Sequence, residues 1–196
     1  MKQVLYVNCC VRRENSRTKI LADYFLEQLC KKEGYEIQEI CLMDENLSYF
    51  TDGFFAQRER LLKQKNFAHP RFRYAHAFAK ADKIVIAAPF WDLSFPALLK
   101  VYIENLCVDG ITFGCNENGC FGTCKADEML FITTRGGSYQ DSAFEMGSRY
   151  LWAMSDFFGI PKYHCVAADG LDMGLRPVAD ILDDAKKELD TVLQTF

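Results

Sequence analysis

The sequence predicts one doubly wound α/β domain over residues 1–196, a five-stranded parallel sheet with helices on both of its faces. Three observations carry that expectation. Short β-prone runs alternate with segments of helical period along the whole chain. The run Lys83–Ala88 shows no polar alternation after its lysine, which is how a strand covered on both faces reads. The composition, 49% hydrophobic and 26% charged, is that of a globular protein large enough to fold on its own core without staples.

Val4–Val7 reads as the first strand. The turn-like Asn8–Ser16 leads to a helix with apolar positions Ile20, Leu21, Tyr24, Phe25 and Leu29, and Ser16 stands where a cap belongs. Tyr35–Leu42 alternates as a strand, and helical pieces follow over Phe55–Lys65 and Phe72–Ala81. After the central strand, Ser94-Phe95-Pro96 reads as a cap with proline in the first turn of a helix ended by Asp109-Gly110. Gly114–Gly122 reads as a Gly- and Asn-rich segment between that helix and the next strand. A strand at Glu128–Thr133 precedes a helix from about Asp141 to Phe158, stopped by Gly159-Ile160-Pro161. A strand at Lys162–Ala168 and an amphipathic helix from Pro177 through Val192 close the pattern.

Charge and apolar runs exclude several function classes. The 23 basic and 27 acidic residues sum to −4, so no basic stripe for nucleic acid or an anionic membrane surface is expected. No stretch nears the ~18 consecutive apolar residues of a membrane span. Val4–Val7 is too short for a signal peptide, so a cytoplasmic location is expected. In that reducing compartment the odd count of nine cysteines points to free thiols.

Ligands of such sheets bind beyond the carboxyl ends of the strands, which directs attention to the loops after the first, third and fourth strands. The first, Asn8–Thr18, brings hydroxyls and arginines to a helix start, where free N–H groups and the helix dipole suit a phosphate; Ser16 as a mere cap is the alternative. The second, Pro89–Leu93, sets two large aromatics at the tip of the central strand, as a stacking wall or as core residues rolled over the edge. The third, Thr133–Tyr139, holds Gly136-Gly137, which permits close backbone approach to a flat ring or simply makes a turn. A flat cofactor with one phosphate fits all three, and flavin mononucleotide (FMN) has that shape.

Ala88-Pro89-Phe90-Trp91-Asp92 before a helix, Thr112-Phe113 with Glu117-Asn118-Gly119, and Thr134-Arg135-Gly136-Gly137 resemble the flavodoxin-like NAD(P)H:quinone oxidoreductase and FMN-dependent azoreductase family. The resemblance runs nearly end to end and implies a flavodoxin-like fold. It implies that Ser16, Arg17 and Thr18, with Cys10 in place of a common serine, hold the phosphate. It implies that Pro89, Phe90, Trp91, Asp92 and Leu93 lie beside the isoalloxazine, with Thr134, Arg135, Gly136 and Gly137 near its pyrimidine end and Tyr139 at the ring edge. Asp92 replaces an asparagine, and a carboxylate there disfavours an anionic reduced flavin. The implied reaction passes a hydride from NAD(P)H to the flavin and on to a quinone, azo or nitro acceptor by a ping-pong cycle, with no catalytic side chain required.

The family is typically homodimeric, with the ring at the subunit interface, and Phe50, Phe54, Phe113 and Phe121 are candidates to narrow the substrate pocket. A satellite hydrophobic cluster is the other reading of those rings. Cys107, Cys115, Cys120 and Cys124 lie outside the pattern; without a Cys-x-x-Cys pair they read as thiols rather than metal ligands. Cys10 precedes Arg17 by seven positions where a phosphatase loop needs six, which disfavours a cysteine nucleophile. His69, His76 and His164 read as surface or satisfied core residues. A flavodoxin-type electron carrier and a flavin-free binding protein on the same fold remain as alternatives.

Overall fold

The computed structural model describes residues Met1–Phe196. Five parallel strands, β1 (Lys2–Asn8), β2 (Tyr35–Cys41), β3 (Lys83–Ala87), β6 (Glu128–Thr134) and β7 (Lys162–Ala168), form one sheet in the order β2-β1-β3-β6-β7. All five residues of β3 are buried, as expected of a central parallel strand. Alternation along β1 splits the core. Leu5 and Val7 join the layer under α3 (Arg73–Lys80), α4 (Ala97–Leu106) and α5 (Gly147–Phe157). Val4 and Tyr6 join the layer under α1 (Arg17–Cys30) and α6 (Val178–Thr195). Each fully buried aliphatic or aromatic side chain contributes about 1.5–3 kcal/mol relative to exposure. The remaining helix, α2 (Asp52–Lys63), covers a smaller cluster through Leu61, packed with Phe72 and Val108.

Four expectations need correction. Gly114–Gly122 is not a loop: β4 (Phe113–Asn116) and β5 (Gly119–Gly122) pair antiparallel as a hairpin outside the main sheet. Its register sets Cys115 opposite Cys120 with their Cα atoms 4.0 Å apart, and the two form a disulfide. The expectation of a free thiol fails at these two positions because the backbone already holds them within bonding reach. Seven cysteines are free, and among them Cys30 alone, the last residue of α1, is exposed.

The helix expected from Asp141 starts instead at Gly147. Asp141 adopts φ +62°, outside helical space, and the N–H groups of Tyr139 and Gln140 are taken by the Asp169 carboxylate at 2.8 Å each. Glu145 Oε1 accepts the Ser148 N–H at 2.9 Å, satisfying a first-turn donor of the shortened helix. Ser94 likewise caps nothing. It exchanges backbone hydrogen bonds with Trp91 at 2.9 and 3.0 Å, closing a tight turn, and α4 opens at Ala97 after Pro96 and ends at Leu106. Ser16 does cap α1, its Oγ accepting the Lys19 N–H at 3.3 Å.

Candidate functional site

The carboxyl ends of β1, β3, β6 and β7 border an open cavity of about 590 Å³. At one end stands the start of α1. Ser16 and Thr18 face the cavity with Arg12 and Arg17, and the N–H groups of Arg17 and Thr18 donate to no protein acceptor. Two hydroxyls, two guanidinium groups and two free backbone N–H groups suit a phosphate dianion at a helix N-terminus. The Thr18 and Thr134 hydroxyls meet at 2.6 Å, tying that helix start to the end of β6.

Pro89, Phe90, Trp91, Asp92 and Leu93 form one wall. The Phe90 N–H donates to the Thr134 carbonyl at 3.0 Å, so this wall and the β6 loop are held together by backbone. Asp92 and Leu93 both take left-handed conformations, φ +50° and +67°, to make the turn. A leucine in that region costs about 1–2 kcal/mol, and it leaves Trp91 and Leu93 both 41% exposed at the lip. The opposite wall is Thr134, Arg135, Gly136, Gly137 and Tyr139. The rings of Phe90 and Tyr139 lie 4.6 Å apart, joining the two walls at the base. The N–H groups of Gly136, Gly137 and Ser138 also donate to no protein acceptor. A planar heterocycle with carbonyl and ring-nitrogen acceptors is the partner such a row of donors fits.

The structure therefore gathers all the expected cofactor residues around one cavity except Cys10. That residue is fully buried, with Sγ 3.8 Å from the Ala87 carbonyl, and burial pushes its thiol up to about 12. Cys9 is pushed to about 12 for the same reason. Both thiols stay protonated at neutral pH, consistent with the argument against a cysteine nucleophile.

The four aromatics expected in the substrate pocket do not line this cavity. Phe50 and Phe54 pack on one another at 5.6 Å, with the Arg71 guanidinium 3.4 Å above Phe54. Phe113 packs on Phe157 at 4.9 Å, and the Phe121 ring lies over Gly114, where a Cβ would meet it at 2.9 Å. Within one chain they form satellite packing, the alternative their sequence positions left open.

Sequence reasoning missed three residues of the lining, Arg12, Leu171 and Asp172. Arg12 lies in the first loop already singled out. Leu171 and Asp172 follow β7, and the rule about strand ends applies to the fifth strand of the sheet as well as to the others. Asp172 reaches across the cavity mouth, its Oδ1 2.7 Å from Arg17 Nη1.

Comparison with known proteins follows the same lines. The family model described as flavodoxin-like fold matches residues 2–193. The chain belongs to the flavodoxin-like fold family. This flavodoxin-like chain is 40% identical over 188 residues to an FMN-dependent NADH:quinone oxidoreductase 2 of Clostridium acetobutylicum, covering 93% of each. It is 37% identical over 192 residues to the FMN-dependent NADH:quinone oxidoreductase of Clostridium perfringens, covering 96% of this chain and 97% of the other. The crystal structure of an azoreductase from Bacillus anthracis superposes with a TM-score of 0.90 at 25% identity, over 100% of both chains.

Proposed function

We propose that this chain is an FMN-dependent NADH:quinone oxidoreductase that also accepts azo and nitro compounds. One observation carries the reading: a single cavity with unspent backbone N–H donors at both ends, those of Arg17 and Thr18 at the α1 start beside Ser16 and Arg12, and those of Gly136 and Gly137 beside an aromatic wall. The names of the relatives support the same cofactor and reductant. FMN, when bound, supplies the hydride chemistry.

The protein's part is positioning. Ser16, Thr18, Arg12 and Arg17 would hold the phosphate, Arg17 leaving Asp172 to do so. The Gly136–Ser138 N–H groups would serve as donors to the ring's polar edge. Phe90, Trp91 and Leu93 would form the wall beside the ring, leaving the ring's open face for the nicotinamide and then the acceptor to stack against in turn at reacting distance. No side chain in the cavity is needed to move a proton.

The working unit is a homodimer in the cytoplasm. Phe144 and Met146 are 65% and 51% exposed, and the Met146 N–H donates to the Leu93 carbonyl at 3.0 Å, so an apolar rim continues from the cavity lip onto the approach to α5. Exposed apolar surface of this kind beside a pocket is what a second subunit covers.

The deciding experiment is the visible spectrum of protein mixed with FMN, desalted, and recorded anaerobically before and after NADH. Retained flavin absorbance that bleaches with NADH and returns on adding a quinone is the expected result. Retained absorbance that NADH leaves unchanged would instead identify an electron carrier, and colourless protein a flavin-free binding module.

A further inference from the structure

A buried ionic cluster backs the cavity wall at the β6 loop. Arg135, directly after β6, has a side chain only 5% exposed and lies between two carboxylates, Asp169 Oδ1 at 3.1 Å and Glu145 Oε1 at 3.2 Å. Its guanidinium sits 5.5 Å from the centre of the Phe90 ring in the cavity wall. The other oxygen of Asp169, Oδ2, accepts the backbone N–H groups of both Tyr139 and Gln140 at 2.8 Å. One carboxylate from the end of β7 thus fastens the residue that begins the loop and the two that end it.

Between those anchors lie the N–H groups of Gly136, Gly137 and Ser138, which have no protein acceptor. The loop's carbonyls are spoken for: Arg135, Gly136 and Gly137 accept from Leu171, Asp172 and Gly170 at 3.1, 2.9 and 3.0 Å. With the carbonyls turned toward the segment after β7, the free N–H groups are left for a ligand, and Gly136 and Gly137 line the cavity. Two adjacent glycines would otherwise leave this stretch free to sample many conformations.

Resting on the FMN reading, we propose that Asp169 is a positioning residue that holds both ends of the Arg135–Gln140 loop and so presents the N–H groups of Gly136–Ser138 as a preformed donor row for the flavin. Hydrogen bonds to an ionised carboxylate are stronger than neutral ones, which makes it an effective clamp. A ligand that meets preordered donors does not have to order them on binding. Glu145 shares the arginine but accepts a hydrogen bond from neither Tyr139 nor Gln140, its Oε1 taking the Ser148 N–H instead, so of the two carboxylates Asp169 alone holds the loop amides.

The test compares Asp169→Ala with Glu145→Ala. Each removes one negative charge beside Arg135, and only the first frees the two loop amides. FMN dissociation constants are measured by quenching of flavin fluorescence, with hydrogen exchange at Tyr139 and Gln140 and melting temperature followed in parallel. Asp169→Ala is expected to weaken FMN about tenfold or more and to deprotect both amides, and Glu145→Ala to weaken it less than about threefold. Equal losses in the two variants, or unchanged affinity in Asp169→Ala while wild-type protein binds FMN, overturn the inference alone. Failure of wild-type protein to bind FMN overturns the oxidoreductase reading and this inference with it. Should Asp169→Ala not fold, Asp169→Asn takes its place, with the same direction expected for affinity and amide protection.

Discussion

Gly136 and Gly137 meet different neighbours when given a side chain. A Cβ on Gly136 would come within 2.5 Å of Asp172 Oδ2, and one on Gly137 within 3.0 Å of the Tyr139 ring. Both obstacles are ends of movable side chains, so a larger residue at either position is compatible with the fold and is felt instead in the cavity. Gly137→Leu is expected to keep its melting temperature within about 2 °C of wild type and to weaken FMN by tenfold or more, because the new side chain fills the space the ring needs. Unchanged FMN affinity in that variant, read by fluorescence titration, would remove Gly137 from the cofactor site. The turn at Asp92 and Leu93 makes the complementary point. Two successive non-glycine residues at positive φ are held there by the Trp91–Ser94 hydrogen bonds on either side, and backbone strain of this kind is commonly kept where a site needs a particular surface.

At the scale of elements, the start of α1 combines a helix cap with a place in the cavity lining. Ser16 is 4% exposed and caps the helix, and the same residue faces the cavity. Ser16→Ala is expected to cost about 1 kcal/mol, a melting-temperature drop of about 2–4 °C, and to weaken FMN as well. Loss of stability with unaltered FMN binding would reduce Ser16 to a cap, the plainer of its two readings.

The sheet was legible in the sequence because buried parallel strands leave uninterrupted apolar runs, as in Ile84–Ala88, and because apolar positions such as Leu21, Phe25 and Leu29 repeat at helical period. The loops of the site were legible through position: once the strands were placed, Ser16, Phe90 and Gly136 had to fall at one edge. What stayed hidden depended on long-range partners. Asp169 takes the N–H groups of Tyr139 and Gln140 across 30 and 29 residues and so delays α5, which no local pattern announces. The hairpin was obscured by its own composition, since Gly114, Asn116, Asn118 and Gly119 read as loop, and its cross-strand disulfide depends on a register that only the pairing defines.

Across the whole molecule, the two edges of the sheet do different work. The carboxyl edge carries the cavity. The amino edge carries a buried network in which Lys83 Nζ lies 2.5 Å from Glu128 and 2.9 Å from Asp127, and Glu128 Oε1 lies 2.7 Å from His164 Nε2. Glu128 is fully buried, so Glu128→Gln leaves the Lys83 ammonium with only the exposed Asp127 as a charged partner. That variant is expected to lose about 3 kcal/mol, on the order of 10 °C in melting temperature, while binding FMN as wild type does.

The same network sets an alkaline limit. Burial on its own would lower the Lys83 pKa, but hydrogen bonds with Glu128 and Asp127 outweigh it and raise the value above the ordinary 10.5. A raised lysine contributes its stability in full below 10.5 and loses it as pH climbs through the raised value. Chemical denaturation at stepwise higher pH is expected to show wild type losing stability beyond that point faster than Lys83→Met, which has no ammonium at position 83 to deprotonate. Parallel curves for the two proteins would contradict the assignment.

The exposed thiol of Cys30 has a practical consequence. The remaining free cysteines are buried or half-buried, so a maleimide dye applied briefly to the native protein will attach mainly there. The 14 residues of α1 place that dye about 21 Å along the helix from the N-terminal turn that faces the cavity. A fluorophore at this distance can report ligand occupancy by energy transfer without entering the pocket, giving an optical sensor from the unmodified sequence.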